Sequence, residues 1–162
     1  MDDDAPGKTV GATRITIAQL MQPQQANSSG NVHGGWIMKL VDEAGALVCM
    51  RHAQRRVVTV AVDQMTFRQP IRIGDLVTLT AEVSYVGRTS MEAEVQVVAE
   101  NPVTGESTHT NTAYLVYVAL DEKNNPAPAP KLIPETEEQR VRMDKGRSRQ
   151  EHRVRQFNRD MQ

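Results

Sequence analysis

The stretch from residue 27 to residue 45, N-S-S-G-N-V-H-G-G-W-I-M-K-L-V-D-E-A-G, decides the fold because it turns a polar loop directly into an apolar helix. From Trp36 the apolar residues recur at intervals of three and four, which is the helical period, and the helix is predicted to end near His52. Two carboxylates, Asp42 and Glu43, stand among these apolar positions. Acids in a helix that should bury itself raise the question of what they do there.

On both sides of this helix the apolar pattern changes to a period of two, which predicts β-strands. Residues 13–21 alternate weakly, and Val58, Val60 and Val62 share one face of a strand after the helix. Three longer alternating stretches follow, joined by the turns G-R-T-S and N-P-V-T-G-E. The pattern predicts an α+β fold in which an antiparallel sheet lays one apolar face on the helix. Such a sheet has open edges, and pairing of edge strands in a dimer would cover one of them.

Composition limits the classes of function. The 162 residues, with 39% hydrophobic content, are enough for one domain with one core, and the net charge of −1 gives no reason to expect nucleic-acid or membrane binding. Cys49 is the single cysteine, so a disulfide framework within the chain is excluded. The acidic N-terminus lacks the apolar segment of a signal peptide, and no apolar run is long enough to span a membrane. The sequence predicts a soluble, cytoplasmic protein without a metal or cofactor motif.

The chain divides into four segments by composition. Residues 1–12 are predicted to be a flexible N-terminus, residues 13–120 the folded domain, residues 121–134 a Pro-rich linker, and residues 135–162 a polar helix and tail. Thr136 and Gln139 form a capping-box pattern at the start of that helix. The helix carries many arginines. A solvated helix face is the favoured interpretation of such a charge run, and phosphate or nucleic-acid contact is the alternative.

Three features of the quoted stretch are candidates for chemistry. Gly34 and Gly35 begin the helix, where unpaired N–H groups can bind an oxyanion, although a simple tight turn explains them too. Asp42 lies two turns further on and can act as a general base or a nucleophile, unless it only belongs to a polar stripe. Asn27 can donate to a carbonyl oxygen or merely cap a turn.

Other reactive residues have simpler explanations. Glu43 lies four residues after Lys39, so an exposed ion pair is expected. Cys49 is predicted to be a packed core thiol, since it falls in the apolar part of the helix. His33 has no serine or cysteine partner at a recognisable triad spacing, and the four histidines make no zinc pattern.

Several motifs in order carry a resemblance: N-x-x-G-N-V-H-G-G, M-K-L-V-D-E-A-G, V-V-T-V-A-V-D, A-E-V-S-Y-V-G-R-T-S-M-E and E-N-P-V-T-G. Together they resemble the hotdog-fold acyl-CoA thioesterases, in particular the brain-type cytosolic acyl-CoA hydrolases and their single-domain bacterial relatives. The resemblance runs from residue 13 to residue 120, and the segment beginning P-E-T-E-E-Q-R is similar to the tail of the two-domain animal enzymes.

The resemblance implies a hotdog fold, which is a long central helix wrapped by an antiparallel sheet, with a C-terminal helix added. It implies a dimer, assembled into a hexamer as a trimer of dimers, with the active site at the dimer interface. Asn27 of one subunit and Asp42 of the other would then act on one acyl-CoA thioester, and the Gly34 or Gly35 amides would polarise its carbonyl. The products would be free CoA and a fatty acid.

The resemblance also implies a contact for the CoA part of the substrate at the turn G-R-T-S. Arg88 would bind a phosphate, with Thr89 and Ser90 beside it. An ordinary hairpin turn with a solvated arginine is the alternative.

Three other functions are weighed against thioester hydrolysis. A hydratase or dehydratase of the same fold would need a histidine paired with the acid, and none follows Asp42 at a suitable distance. A non-catalytic module that binds acyl-CoA or a nucleotide would not need both Asn27 and Asp42. Nucleic-acid binding through the Arg-rich tail would be steeply salt-dependent.

Overall fold

The elements of the fold follow the order predicted from the sequence, strand, helix and then a run of strands. The computed structural model describes residues 6–63 and 65–161, so residues 1–5 of the predicted flexible N-terminus and the last residue of the tail lie outside the described part. Its elements are β1 (Lys8–Thr9), α1 (Val10–Thr13), β2 (Ile15–Leu20), α2 (Gly34–Ala53), β3 (Arg56–Val62), β4 (Leu76–Val86), β5 (Ser90–Glu100), β6 (Ser107–Leu120), β7 (Leu132–Ile133) and α3 (Glu137–Asp160).

Five strands form one antiparallel sheet with the order β2-β4-β5-β6-β3. The three long strands β4, β5 and β6 are neighbours in sequence and in space, as expected for hairpins joined by short turns. Apart from Tyr117 of β6, their inward side chains are small or aliphatic, and those of β4 are Val77, Leu79, Ala81 and Val83. The sequence predicted these strands and, for β4, the alternation of its two faces, and the predicted α+β hotdog arrangement is confirmed.

The long helix α2 crosses the inner face of the sheet and fills the core. Its buried residues recur at helical spacing and are Ile37, Leu40, Val41, Ala44, Val48 and Cys49. The helix begins at Gly34, as predicted for the two glycines. His33 caps it, because its Nδ1 atom accepts a hydrogen bond of 3.0 Å from the Gly35 amide. At the other end Gln54 takes a left-handed backbone conformation, with φ of 53°, and ends the helix.

The helix α3 packs on the outer face of the same sheet. The interpretation of its arginines as a solvated face holds for Arg140, Arg147, Arg155 and Arg159, which are exposed, and is wrong for the three that face the sheet. On β5 the outward carboxylate of Glu92 is fully buried under this helix. Arg149 and Arg153 pair with Glu92 at 2.6 Å and 2.8 Å. Arg142 pairs with Glu82 of β4 at 2.7 Å. These arginines of the helix thus form ion pairs with carboxylates of the sheet, and packing of the helix shields both partners from water.

The described part of the N-terminal segment, which the sequence predicted to be flexible, contains a short strand and a helical turn. The strand β1 pairs in parallel with β7, and Val10 is buried. The Gly11 amide donates to Glu135 Oε2 over 2.7 Å. The Pro-rich segment is also fastened to the domain, since the Ala127 amide donates to the Ala119 carbonyl over 2.8 Å. The capping box predicted at Thr136 is present. None of the described helices is both long and apolar enough to cross a bilayer.

Candidate active site

Asp42 lies in the middle of α2, half-buried between the helix and two strands. Its Oδ1 atom accepts a hydrogen bond of 2.8 Å from the Thr59 hydroxyl of β3 and lies 3.0 Å from the Tyr117 hydroxyl of β6. Thr59 and Tyr117 are direct cross-strand partners, so the sheet presents two hydroxyl donors to one carboxylate oxygen. The other oxygen, Oδ2, has no donor among residues 6–63 and 65–161. One oxygen is therefore held by the protein and the other is left for a ligand or water.

The Tyr117 hydroxyl acts as a neutral donor to this carboxylate. Burial raises the pKa of Tyr117, and the nearby negative charge of Asp42 raises it further. Cys49 lies in the same region of the core, where burial raises the pKa of its thiol well above the ordinary value. The prediction of a packed core thiol at this position is confirmed.

Glu43, the second acid of the helix, has a different environment from Asp42. Its Oε1 atom lies 2.6 Å from the Lys39 Nζ atom, and both side chains are about half exposed. The predicted surface ion pair is confirmed. The two neighbouring carboxylates therefore separate into one that stays in water and one that is held against the sheet.

The side chain of Asn27 organises the loop before the helix. Its Oδ1 atom accepts hydrogen bonds from the amides of Ser29 and Asn31 at 2.9 Å and 3.2 Å. The Nδ2 group has no acceptor within the described part of the chain. The oxygen of Asn27 therefore makes the turn, and its NH₂ group is left able to donate.

The backbone amides of the two glycines at the start of α2 differ in whether they are free to donate a hydrogen bond. The Gly35 amide is engaged by the His33 side chain, whereas the Gly34 amide has no hydrogen-bond partner in the residues that the structure covers. Of the two amides predicted to polarise a carbonyl, Gly34 is therefore the one that can donate in this conformation.

The helix start and Asp42 of one chain are too far apart to act on the same carbonyl. Asp42 follows Gly34 by eight residues, which is about 12 Å of helical rise. The Asp side chain leans toward the helix N-terminus, but it shortens this gap by only a few Å. Two groups at this separation within one chain cannot both contact one reacting carbonyl group.

The turn between β4 and β5 holds the predicted CoA-binding residues on a fixed backbone. The Thr89 carbonyl accepts from the Ala119 amide, and the Arg88 carbonyl accepts from the Ala129 amide, each over 3.0 Å. Ser90 begins β5. The Arg88 side chain is exposed and makes no ion pair with any described residue, unlike the arginines of α3. The turn thus presents a guanidinium group that is available to an anion.

Thr59 and Tyr117 were not predicted as site residues. The sequence held part of the signal, because Thr59 lies on the opposite face of its strand from the exposed valines, and Tyr117 follows the inward alternation of β6. Which of the inward residues meets Asp42 depends on the register between strands and helix, which no local pattern specifies. Within residues 6–63 and 65–161, no group of three or more His, Cys, Asp or Glu side chains is arranged to hold a metal ion.

Comparison with known proteins identifies the family. Residues 29–106 match the Thioesterase superfamily. The chain is 36% identical over 149 residues to the protein VdlD of Helicobacter pylori, covering 92% of this chain and 85% of that protein. The chain belongs to the hotdog-fold acyl-CoA thioesterases. It is also 35% identical over 144 residues to the human cytosolic acyl coenzyme A thioester hydrolase, of which it spans 38% of the length.

Solved structures of thioesterases match the whole fold, including the C-terminal helix. An acyl-CoA hydrolase from Staphylococcus aureus, solved with butyryl-CoA and CoA, is 30% identical, with 96% of each chain covered and a TM-score of 0.88. A hexameric acyl-CoA thioesterase is 35% identical, with 94% of this chain and 98% of that chain covered and a TM-score of 0.90. These likenesses confirm the resemblance found in the sequence.

Proposed function

We propose that the protein hydrolyses acyl-CoA to free CoA and a fatty acid, with Asp42 of one subunit facing Asn27 and the Gly34 amide of a partner subunit. The observation that carries this proposal is the state of the Asp42 carboxylate. Thr59 and Tyr117 hold its Oδ1 atom, and its Oδ2 atom is left open. A carboxylate fixed through one oxygen, in a chain of the acyl-CoA thioesterase family, is suited to take a proton from water or to attack a thioester.

Assembly from two subunits follows from the spacing of the groups and from the exposed edge of the sheet. The edge strand β3 leaves Val58, Val60 and Val62 exposed by 44%, 54% and 48%. An open apolar edge strand favours pairing with the same strand of a second copy. We infer a homo-oligomer built from such dimers, and the hexameric relatives support a trimer of dimers.

The reaction follows from these groups. Asp42 accepts a proton from water, and the resulting hydroxide attacks the thioester carbonyl carbon. The oxyanion that forms receives hydrogen bonds from the Asn27 Nδ2 group and the Gly34 amide. When the carbon–sulfur bond breaks, the CoA thiolate takes the proton from Asp42 and the fatty acid remains. These steps use only protein groups and water, and no cofactor is needed.

Direct attack by Asp42 is the alternative chemistry at the same position, and isotopic labelling separates the two routes. In a single turnover in ¹⁸O-water, the general-base route places the label in the fatty acid. The nucleophilic route forms a mixed anhydride whose hydrolysis at the aspartyl carbonyl places the label in the protein.

Three solved mutants of the Staphylococcus aureus hydrolase support the choice of residues. An asparagine, an aspartate and a threonine are each replaced by alanine in these structures. The spacing between those three positions equals the spacing between Asn27, Asp42 and Thr59 of this chain.

The CoA part of the substrate is assigned to the turn between β4 and β5. The Arg88 guanidinium would bind a phosphate by charge-assisted hydrogen bonds, with Thr89 and Ser90 beside it. Arg88 is suited to this role because its side chain is exposed and its backbone is fastened by the Ala129 amide. We also infer a cytoplasmic location, which the cytosolic relatives support.

The experiment that tests the function is thiol release from acyl-CoAs of increasing chain length by wild type, Asn27→Ala and Asp42→Ala. We expect wild type to release CoA, and each variant to lose most of its kcat while it keeps its oligomeric state. Glu43→Ala is the matched control, because it removes the neighbouring acid that only pairs with Lys39. Near-wild-type turnover by Asp42→Ala would refute the mechanism. A wild type inert on every substrate but able to bind CoA would favour the non-catalytic binding module.

A further inference from the structure

We propose that Tyr117 is a positioning residue that fixes the Asp42 carboxylate for hydrolysis, and that position 45 is a glycine because the Tyr117 hydroxyl occupies the space of a side chain there. This inference deepens the proposed thioesterase function and rests on it. It concerns how the chain aims one oxygen of Asp42 at the substrate.

The contact between Tyr117 and α2 is unusually close. A Cβ atom placed on Gly45 would overlap the Tyr117 hydroxyl oxygen and would lie only 3.0 Å from Cε2 and Cζ of the ring. Real Cβ atoms do not approach other atoms this closely, so any larger residue at position 45 would displace the tyrosine. The ring therefore packs against the helix backbone at Gly45, a position that has no side chain.

A glycine inside a helix needs an explanation, since it destabilises the helix relative to alanine. Gly45 lies in the middle of α2 and is buried, three residues after Asp42 and so on the same side of the helix. It is neither at a cap nor in a backbone conformation that only glycine adopts. The access that it gives to Tyr117 is the feature of the structure that accounts for it.

The position of the hydroxyl explains what this access achieves. The Tyr117 oxygen lies 3.0 Å from both the Oδ1 atom and the backbone carbonyl oxygen of Asp42. The hydroxyl thus bridges the side chain of Asp42 to its own main chain, and Thr59 donates to the same Oδ1 atom from the other strand. Two donors on one oxygen restrict rotation of the carboxylate and leave Oδ2 as its oxygen without a donor in the described part of the chain.

The positioning role depends on the hydroxyl of Tyr117 and not on its ring. The ring is fully buried, and phenylalanine would fill nearly the same volume without the hydroxyl. A residue needed only for packing would therefore tolerate replacement by phenylalanine. The positioning role instead requires the oxygen atom, which makes the two roles separable by experiment.

The test compares kcat and KM for acyl-CoA hydrolysis in wild type, Tyr117→Phe, Asp42→Ala and the double variant. We expect Tyr117→Phe to lower kcat by roughly 10-fold to 100-fold, because a misdirected carboxylate loses alignment with the carbonyl. KM should change by less than about twofold, since the hydroxyl does not contact substrate. In the Asp42→Ala background the same change should have no further effect on kcat, because Tyr117 acts through Asp42.

Two further variants control for folding and packing. Tyr114→Phe removes a hydroxyl from the same strand, but its ring lies 3.8 Å from the Arg149 guanidinium on the other face of the sheet, so kcat should not change. Gly45→Ala adds the Cβ that displaces Tyr117 and should reproduce the kcat loss. In the double variant Gly45→Ala/Tyr117→Phe, kcat should fall by a smaller factor than the product of the factors measured for the two single variants.

The outcomes distinguish the inference from the function on which it rests. If wild type is active and Asp42→Ala is not, full activity of a folded Tyr117→Phe overturns the positioning role and leaves the function intact. Equal losses from Tyr117→Phe in the wild-type and Asp42→Ala backgrounds also overturn it, since the effect would be structural. An inert wild type, or an active Asp42→Ala, overturns the proposed function and the inference together.

Discussion

Replacement of Glu92 by glutamine should detach α3 from the sheet, because this single carboxylate receives most of the hydrogen bonds that fasten the helix. Glu92 is 1% exposed. It accepts from Arg149 at 2.6 Å and 3.0 Å, from Arg153 at 2.8 Å and from the Ser84 hydroxyl at 2.8 Å. Glutamine keeps the size of the side chain, but it removes the charge and one acceptor oxygen.

The expected decrease in the free energy of unfolding follows from the ion pairs that Arg149 and Arg153 lose. Breaking a buried ion pair by removing one partner costs about 3–5 kcal/mol. Arg149 and Arg153 keep 26% and 17% of their side-chain exposure, so water recovers part of that loss. We expect a loss of about 3 kcal/mol, since the arginines are mostly but not wholly buried. For a chain of 162 residues this corresponds to roughly 6–12 °C in Tm.

Thermal and urea unfolding at one fixed protein concentration measures the effect, because oligomer stability depends on concentration. Glu43→Gln is the matched control. It breaks the exposed pair with Lys39 and should change stability by less than about 0.5 kcal/mol. If Glu92→Gln and Glu43→Gln are equally stable, the view that Glu92 fastens α3 is refuted.

The pH dependence of the same variant gives an independent check. Burial would raise the pKa of Glu92, but the hydrogen bonds from Arg149, Arg153 and Ser84 outweigh it and lower the pKa below its usual value of 4.5. A carboxylate whose pKa is lowered by folding stabilises the protein above its unfolded pKa and loses that contribution as pH falls through the folded pKa. The advantage of wild type over Glu92→Gln should therefore be full near neutral pH and shrink below about pH 4.5. A difference that stays constant into acid would contradict the assignment.

Three further predictions address binding, assembly and the core. Arg88→Ala should raise the KM for acyl-CoA by roughly 10-fold with little change in kcat, because one phosphate contact is lost. Arg147→Ala, on the exposed side of α3, is the control. An unchanged KM would show that Arg88 does not bind the substrate. Val60→Lys places a charge on the exposed edge strand β3. We expect light scattering to show that the variant is a monomer, and we expect the monomer to release no thiol. An intact, active oligomer would exclude this edge as the interface. Cys49 should react with iodoacetamide only as the protein unfolds, since burial raises the pKa of its thiol, whereas rapid labelling of the native protein would contradict the packing of the core.

The sequence predicted the fold wherever a local pattern reports burial. Alternation in β4 and helical spacing in α2 follow directly from which side chains face the core, so both elements and their buried faces could be inferred. The outer face of the sheet could not be inferred in this way. In the sequence, Glu82, Glu92 and Glu94 have the pattern of residues on the solvent side of strands. The arginines of α3 have the pattern of a solvated helix. Each set is buried only because it pairs with the other across more than forty residues of sequence.

For the candidate site too, the sequence predicted the residues of one local stretch but not the contacts between distant segments. Asn27, Gly34 and Asp42 lie in one stretch whose loop-to-helix change marks them, and the resemblance gave them roles. Thr59 and Tyr117 come from two other strands, and their meeting with Asp42 depends on strand register and on the position of the helix over the sheet. The engagement of the Gly35 amide by His33 is a matter of one side-chain rotamer, which sequence spacing does not determine.

The parallel pairing of β1 with β7 joins parts of the chain that are 124 residues apart. During synthesis residues 8–9 leave the ribosome long before residues 132–133, so β1 must wait for its partner strand. The hotdog core can form in the meantime, because its strands from β4 to β6 are neighbours in sequence. The pairing of β1 with β7 therefore forms only after the strands of the core have been synthesised.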